Sequence, residues 1–176
     1  MNSHYLCSME SIVLNHLTIG YKHKVVATYL PAVLHAGEFT CLLGPNCVGK
    51  STLLRTLSGF IPPLKGCVEL NGKDISQLKP YECAQQIGVV LTTKLDTANI
   101  TVAELVGMGR YPYTGFFGRL KANDQQIVDE AMAMTGIKPL QSRLIHTLSD
   151  GERQKTMIAK ALAQQTPVIF LDEPTA

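Results

Sequence analysis

Gly44-Pro45-Asn46-Cys47-Val48-Gly49-Lys50-Ser51 fits G-x-x-x-x-G-K-[ST], a pattern that carries weight only between a strand and a helix. Both flanks read that way. Glu38-Phe39-Thr40-Cys41-Leu42-Leu43 has the apolar character of a short buried strand. Ser51 to Ser58 places Leu53, Leu54 and Leu57 at helical spacing and stops at Gly59, ahead of Pro62-Pro63. Amides at such a helix start, with the positive end of its dipole, bind phosphate oxygens. Lys50 adds a full charge near the outer phosphates, and the Ser51 hydroxyl suits Mg²⁺.

Further along, Val168-Ile169-Phe170-Leu171 is a continuous apolar run, expected as a parallel strand covered on both faces. It delivers Asp172 and Glu173 to the carboxyl end of a sheet, where ligands of open α/β folds collect. There Asp172 is expected in the metal shell and Glu173 as the base that orients or deprotonates the attacking water. Between these two motifs lies Leu148-Ser149-Asp150-Gly151-Glu152, whose Ser149-x-x-Glu152 spacing is a capping box. A helix therefore starts here, with Met157, Ile158, Ala161 and Leu162 as its expected apolar stripe. The glycine in its first turn makes that start a second candidate anion site.

In combination these motifs resemble the ATP-binding subunits of ABC transporters, and the resemblance covers essentially the whole chain. Gly44 to Thr52 is similar to the family's Walker A (Gly44, Pro45, Asn46, Cys47, Val48, Gly49, Lys50, Ser51, Thr52), and Leu148 to Glu152 to its signature, usually LSGGQ. Leu171 to Ala176 is similar to Walker B with the turn after it, and Tyr21 to the aromatic that stacks on adenine. The resemblance implies an α/β P-loop NTPase with a RecA-like core, a small antiparallel β layer and an inserted helical subdomain. It places the core in residues 1–91 and 152–176, and the helical signature subdomain in 92–151. It implies ATP and Mg²⁺ as cofactors. It also implies a head-to-tail dimer in which the signature acts on the opposite subunit's ATP, and coupling to integral-membrane permease subunits fed by a substrate-binding protein. The location implied is cytoplasmic, on the inner face of the cell membrane.

Gly109-Arg110-Tyr111-Pro112-Tyr113, Asp124, and Ala161-Leu162-Ala163-Gln164-Gln165-Thr166-Pro167 narrow the likeness to importers of iron chelates, haem or vitamin B12. A non-transport ABC ATPase shares every motif, although the long coiled-coil inserts or tandem cassettes usual there are missing here. A nucleotide-binding remnant without turnover is the third alternative.

The chain departs from the family pattern in three places. Cys47 stands where the loop usually has glycine, which costs roughly 1–2 kcal/mol if the position needs positive φ, and it sets a thiol among phosphate-binding amides. Thr92 replaces a glutamine that reaches Mg²⁺ and water, so either its hydroxyl acts through an added water or the subdomains are coupled differently. The chain also ends at Ala176, ahead of the segments expected to complete the core, and on that footing these residues alone are expected to bind nucleotide weakly and turn it over little.

The remaining pattern fits this frame. Ser11 to Tyr21 alternates as a strand, Cys67 to Leu70 followed by Asn71-Gly72 is a hairpin signal, and Thr101-x-x-Glu104 is another capping box. Ile127, Ala131 and Met134 suggest a helical stripe ending at Gly136. Tyr111, Tyr113, Phe116 and Phe117 read as packing in preference to a permease-docking surface. With 45% hydrophobic and 17% charged residues over 176 positions the chain can bury one sizeable core. It has no run of roughly 18 apolar residues. A net charge of +2 gives no argument for nucleic acid. Five cysteines without a C-x-x-C fit a reducing compartment, and the five histidines show no ligand spacing.

Overall fold

The computed structural model describes residues 11–29, 31–35, 37–90, 99–115 and 118–172. These fall into two units divided between Cys83 and Ala84, each described by itself below. Thr92, Phe116, Phe117, Glu173 and Pro174 to Ala176 lie outside the described residues.

The first unit is organised by β1 (Ser11–Tyr21), which pairs antiparallel with β2 (Lys24–Thr28), β3 (Ala32–His35) and β4 (Lys65–Leu70). The expected strand forms over its whole length, but its alternation changes phase. Ile12 and Leu14 are buried, and then Leu17 and Ile19. A one-residue irregularity explains the change: the β1–β4 register shifts between Asn15 and Thr18, and His16 has φ 45°. A bulge inserts one residue and so flips which parity faces the core. Gly66 sits across from it at φ 75°, where a Cβ would lie 2.2 Å from the Asn15 carbonyl oxygen, so only glycine fits. The Asn71-Gly72 signal is realised as a tight turn, both residues at positive φ, from β4 into β5 (Lys73–Asp74).

Residues 38–43 correct the sequence expectation. They form no strand, and Phe39 and Leu43 are 92% and 85% exposed. An apolar run becomes a strand only where a neighbour offers a ladder, and within this unit β1 already carries partners on both of its edges. The following helix forms as expected, as α1 (Lys50–Leu57), with Leu53 and Leu57 buried. Helix α2 (Pro80–Gln86), which the sequence pattern did not reveal, follows in the chain.

The second unit contains a parallel pair, β6 (Ile87–Val90) with β7 (Val168–Leu171). Its crossover holds α3 (Val102–Gly107), a 3₁₀ turn (Met108–Tyr113), α4 (Ala122–Met134) and α5 (Asp150–Gln164). Both capping boxes form, at Thr101 and at Ser149. Val102, Leu105, Val106, Val128, Met132, Ile145, Leu148, Ala159 and Ala163 make one apolar core.

Three expectations are corrected in this unit. Met134 is 76% exposed, and α4 instead buries Val128, Ala131 and Met132, a stripe shifted around the helix. The buried residues of α5 are Thr156, Ala159, Ala161 and Ala163; of the expected stripe Ala161 is thus buried, Met157 and Leu162 pack half-buried against the core, and Ile158 is half-buried. Small side chains let neighbouring backbones come close: a Cβ on Gly109 would stand 2.3 Å from the Lys160 carbonyl oxygen. Strand β7 is covered on one face only, burying Phe170 and exposing Ile169 and Leu171. No helix among the described residues is long and apolar enough to cross a membrane.

Candidate functional site

In the first unit, α1 begins at Gly49, whose φ of 105° no L side chain adopts cheaply. A Cβ there would also meet Val26 Cγ1 at 2.5 Å. No side chain caps this helix and no acid lies in its first turn. Lys50, its first residue, folds back and donates from Nζ to the Gly44 carbonyl at 2.8 Å and the Pro45 carbonyl at 2.9 Å. The ammonium group is thus held over the loop by two neutral carbonyl acceptors. Cys47 has φ 64°, the positive value at which its replacement of glycine is costly. Gly44 through Val48 are exposed, whereas Thr52 is buried. The structure brings Tyr21 to this loop: its hydroxyl is 3.4 Å from Thr52 Oγ1, and the residue stays 46% exposed. A ring anchored at its polar tip with its body open can stack on a flat ligand.

In the second unit, Leu148 is buried in the helical core and Ser149 caps α5. Ser149 Oγ accepts from the Glu152 amide at 3.3 Å and donates to Glu152 Oε2 at 2.9 Å, and the Ser149 amide donates to that same oxygen at 2.8 Å. These donors, first the Ser149 amide and then its hydroxyl, hold the Glu152 carboxyl below the usual carboxylate range. Two arginines frame the pentapeptide. Arg153 bonds Asp150 Oδ1 at 3.1 Å and the Leu148 carbonyl at 3.2 Å. Arg143 lies 3.8 Å from Glu152 Oε1 and donates to the Thr147 carbonyl at 2.6 Å. Apart from its chain neighbours and the backbone of its own helix, nothing among the described residues lies within 4 Å of where a Gly151 Cβ would be. Asp172 is buried just past β7, its amide extending the parallel ladder to the Val90 carbonyl at 2.9 Å.

A third cluster joins the three segments that carry the narrower resemblance. Arg110, 5% exposed, donates from Nε to Asp124 Oδ1 at 3.0 Å, and from Nη1 to the Ala163 carbonyl at 2.9 Å and Gln165 Oε1 at 3.1 Å. Its guanidinium stacks on Tyr113 at 4.2 Å. The Lys121 amide and then Arg110 hold the Asp124 carboxyl below the ordinary range. Tyr113 packs one face on Arg110 but is still 37% exposed, so the packing expectation holds only in part there, and Tyr111 is corrected: it is 55% exposed. Nothing local in these three segments announces that one arginine binds them together. The available signal was an arginine beside a Pro-Tyr turn, with an aspartate in the first turn of the next helix.

The fold is that of an ATP-binding cassette. The chain superposes with TM-score 0.81 on a nucleotide-free ATP-binding cassette from an ABC transporter, at 22% identity, covering 96% of this chain and 70% of that one. It belongs to the ABC transporter family, which residues 30–176 match. Among proteins of that family it is similar to the ferric enterobactin transport ATP-binding protein of Escherichia coli K12, 44% identical over 90% of this chain and 59% of the relative. It is also similar to the iron(3+)-hydroxamate import ATP-binding protein of Bacillus subtilis 168, 40% identical over 95% and 62% of the two chains. An inward-facing metal-chelate type ABC transporter matches with TM-score 0.78 and 29% identity, over 94% of this chain and 61% of that one. The chain spans about 60% of the length of these curated relatives.

Proposed function

We propose that this chain is the ATP-binding part of an importer for an iron chelate, with ATP hydrolysis driving transport. The likeness to ferric enterobactin and iron-hydroxamate import proteins carries the substrate class. The observation that carries the ATPase reading is the open start of α1, uncapped and headed by Lys50 over its own loop carbonyls. In this reading residues 44–52 bind the phosphates, Tyr21 stacks on adenine, and Glu173 serves as the base for water. Leu148 to Glu152 meet the ATP of a second, head-to-tail copy. Ser51 and Asp172 are hard oxygen donors that fit Mg²⁺, with Thr92 as a further candidate, and the ion when bound neutralises phosphate charge. In this reading residues 1–91 with 152–176 form the nucleotide-binding core, and 92–151 the helical signature subdomain. The partners are permease subunits at the inner face of the membrane and, through them, a substrate-binding protein.

The test is transport and turnover by the full-length protein with its permease. Glu173→Gln should keep nucleotide binding and lose about 10²- to 10⁴-fold in hydrolysis, with uptake of ferric chelate stopped. Unchanged hydrolysis would remove Glu173 from its role. Uptake that does not depend on Lys50 would remove the importer reading.

A further inference from the structure

The signature serine is not idle in this structure: Glu152, which stands where the family form has an amide, accepts hydrogen bonds from its hydroxyl at 2.9 Å and from its amide at 2.8 Å. A serine whose single proton is committed to a carboxylate presents only lone pairs to an arriving phosphate, and two like charges then face each other at one helix start. The phosphate must displace Glu152, and the displaced carboxylate needs somewhere to go. Arg143 supplies it. Its Nη1 stands 3.8 Å from the other carboxylate oxygen, Glu152 Oε1, and its Nη2 is fixed on the Thr147 carbonyl at 2.6 Å. The guanidinium is therefore already oriented by the turn that precedes the pentapeptide, one short step beyond bonding distance from the group it would receive. The Glu152 side chain is about one-third exposed.

We infer that Arg143 is a positioning residue that acts through Glu152: it receives the carboxylate when a γ-phosphate takes the Ser149 hydroxyl, so the acidic signature works as a self-blocked anion site that the arginine releases. This rests on the reading that the pentapeptide meets the ATP of a second copy. Arg153 has a separate task, holding Asp150 to the Leu148 carbonyl on the other side of the pentapeptide.

A double-mutant cycle on the full-length protein tests it, reading the ATP concentration for half-maximal self-association with Glu173→Gln as the common background. Arg143→Ala should raise that concentration about 2- to 5-fold, the span expected of one exposed ion pair. Glu152→Gln should lower it, because a neutral amide holds the serine less tightly and does not repel phosphate. The deciding variant is Arg143→Ala with Glu152→Gln, which should match Glu152→Gln alone. An arginine that merely braces the turn at Thr147 would cost the same in both backgrounds, and that additive result overturns the inference, as does a rise with Glu152→Gln. Thermal melts confirm that each variant is folded. A background protein that does not associate with ATP at all would overturn the underlying reading as well, and it is told apart from failure of the cycle because it appears before any substitution at 143 or 152.

Discussion

Helices α1 and α5 both begin at a motif expected to meet phosphate, and they begin in opposite ways. The first starts at Gly49 in a left-handed conformation, with no side-chain cap and no acid in its opening turn. The second starts at Ser149 in extended conformation, closed by a reciprocal capping box, with Asp150 and Glu152 in its opening turn. Helix α3 shows that the second arrangement is an ordinary way to finish a helix here, since Thr101 and Glu104 build the same box. One helix start is thus held open by backbone geometry, and the other is closed by its own side chains. An anion stabilises the first directly, while at the second it competes with bonds the protein already makes. The open start depends on a costly conformation and the closed one on the frame behind it, and substitutions can strike each separately.

The largest effect is expected where the frame behind α5 is held. Arg110 ties the end of that helix, through the Ala163 carbonyl and Gln165, to Asp124 of α4, with both charged residues nearly buried. Arg110→Met should cost about 3–5 kcal/mol in denaturant unfolding, because it strands a buried carboxylate. The pH dependence follows from the sign of the shift. The Asp124 carboxyl is lowered by the Lys121 amide and by Arg110, so its stabilisation is fully present above the unfolded carboxylate value and is lost as pH falls through the folded one. Without Arg110 the folded value rises, and the acid loss should begin at higher pH. A substituted protein with unchanged stability and an unchanged acid limb would mean that α5 does not depend on this hub.

Gly49→Ala attacks the open start. A left-handed alanine costs roughly 1–2 kcal/mol, and its Cβ would press on Val26 Cγ1 at 2.5 Å, adding about 1–3 kcal/mol of overpacking. Pairing it with Val26→Ala separates the two, since the contact is relieved and the backbone cost stays. Nucleotide affinity, measured by titration with a fluorescent ATP analogue, should fall in both variants. If the pair restores affinity fully, φ at 49 is not what keeps this helix start open.

How much of this could be read in the sequence follows from where each determinant lies. The two helix starts and the β4–β5 turn are legible because caps and glycine turns are written in nearby residues: Ser149 with Glu152, Gly49 with Lys50, Asn71 with Gly72. Residues 38–43 misled because a strand exists only through a partner, and an apolar run states its appetite for one without naming it. The stripes of α4 and α5 are only partly legible for a related reason: Ala131 and Ala161 are buried and Ile127, Met157 and Leu162 pack on the core, but Met134 is exposed. Periodicity marks the large apolar residues, whereas α5 buries Ala159 and Ala163 where close backbone approach asks for small ones. The Arg110 hub spans residues 110 to 165, and no local pattern shows that these meet. The bulge at His16 was hidden because it changes the phase of an alternation that otherwise continues.

A smaller effect is expected at the closed start. Ser149→Ala removes the acceptor for the Glu152 amide and should cost about 1 kcal/mol, seen best as faster hydrogen exchange at the amides of the first turn of α5. Thr101→Ala should act alike on α3. The comparison sharpens if the two substitutions cost the same in folding but only Ser149→Ala weakens ATP-driven association. Equal effects on association would deprive the α5 box of any role beyond capping.

The smallest change belongs to Cys47, and it bears on whether the open start is under strain even before nucleotide arrives. At φ 64° a cysteine carries roughly 1–2 kcal/mol that glycine avoids, while glycine gives back about 0.5–1 kcal/mol through the entropy of its unfolded chain. Cys47→Gly should therefore stabilise the protein by about 0.5–1 kcal/mol, a rise of roughly 1–4 °C in the melting midpoint. The thiol itself reports on the loop. Cys41 and Cys47 are both exposed, and only Cys47 lies inside the phosphate motif. Saturating ATP should slow alkylation at 47 and leave 41 nearly unchanged, read by mass spectrometry of the labelled peptides. Protection at neither position would place the nucleotide elsewhere, and equal protection at both would mean that residues 38–43 close over with the loop, so that the open start is made by a larger rearrangement than the φ values at 47 and 49 express.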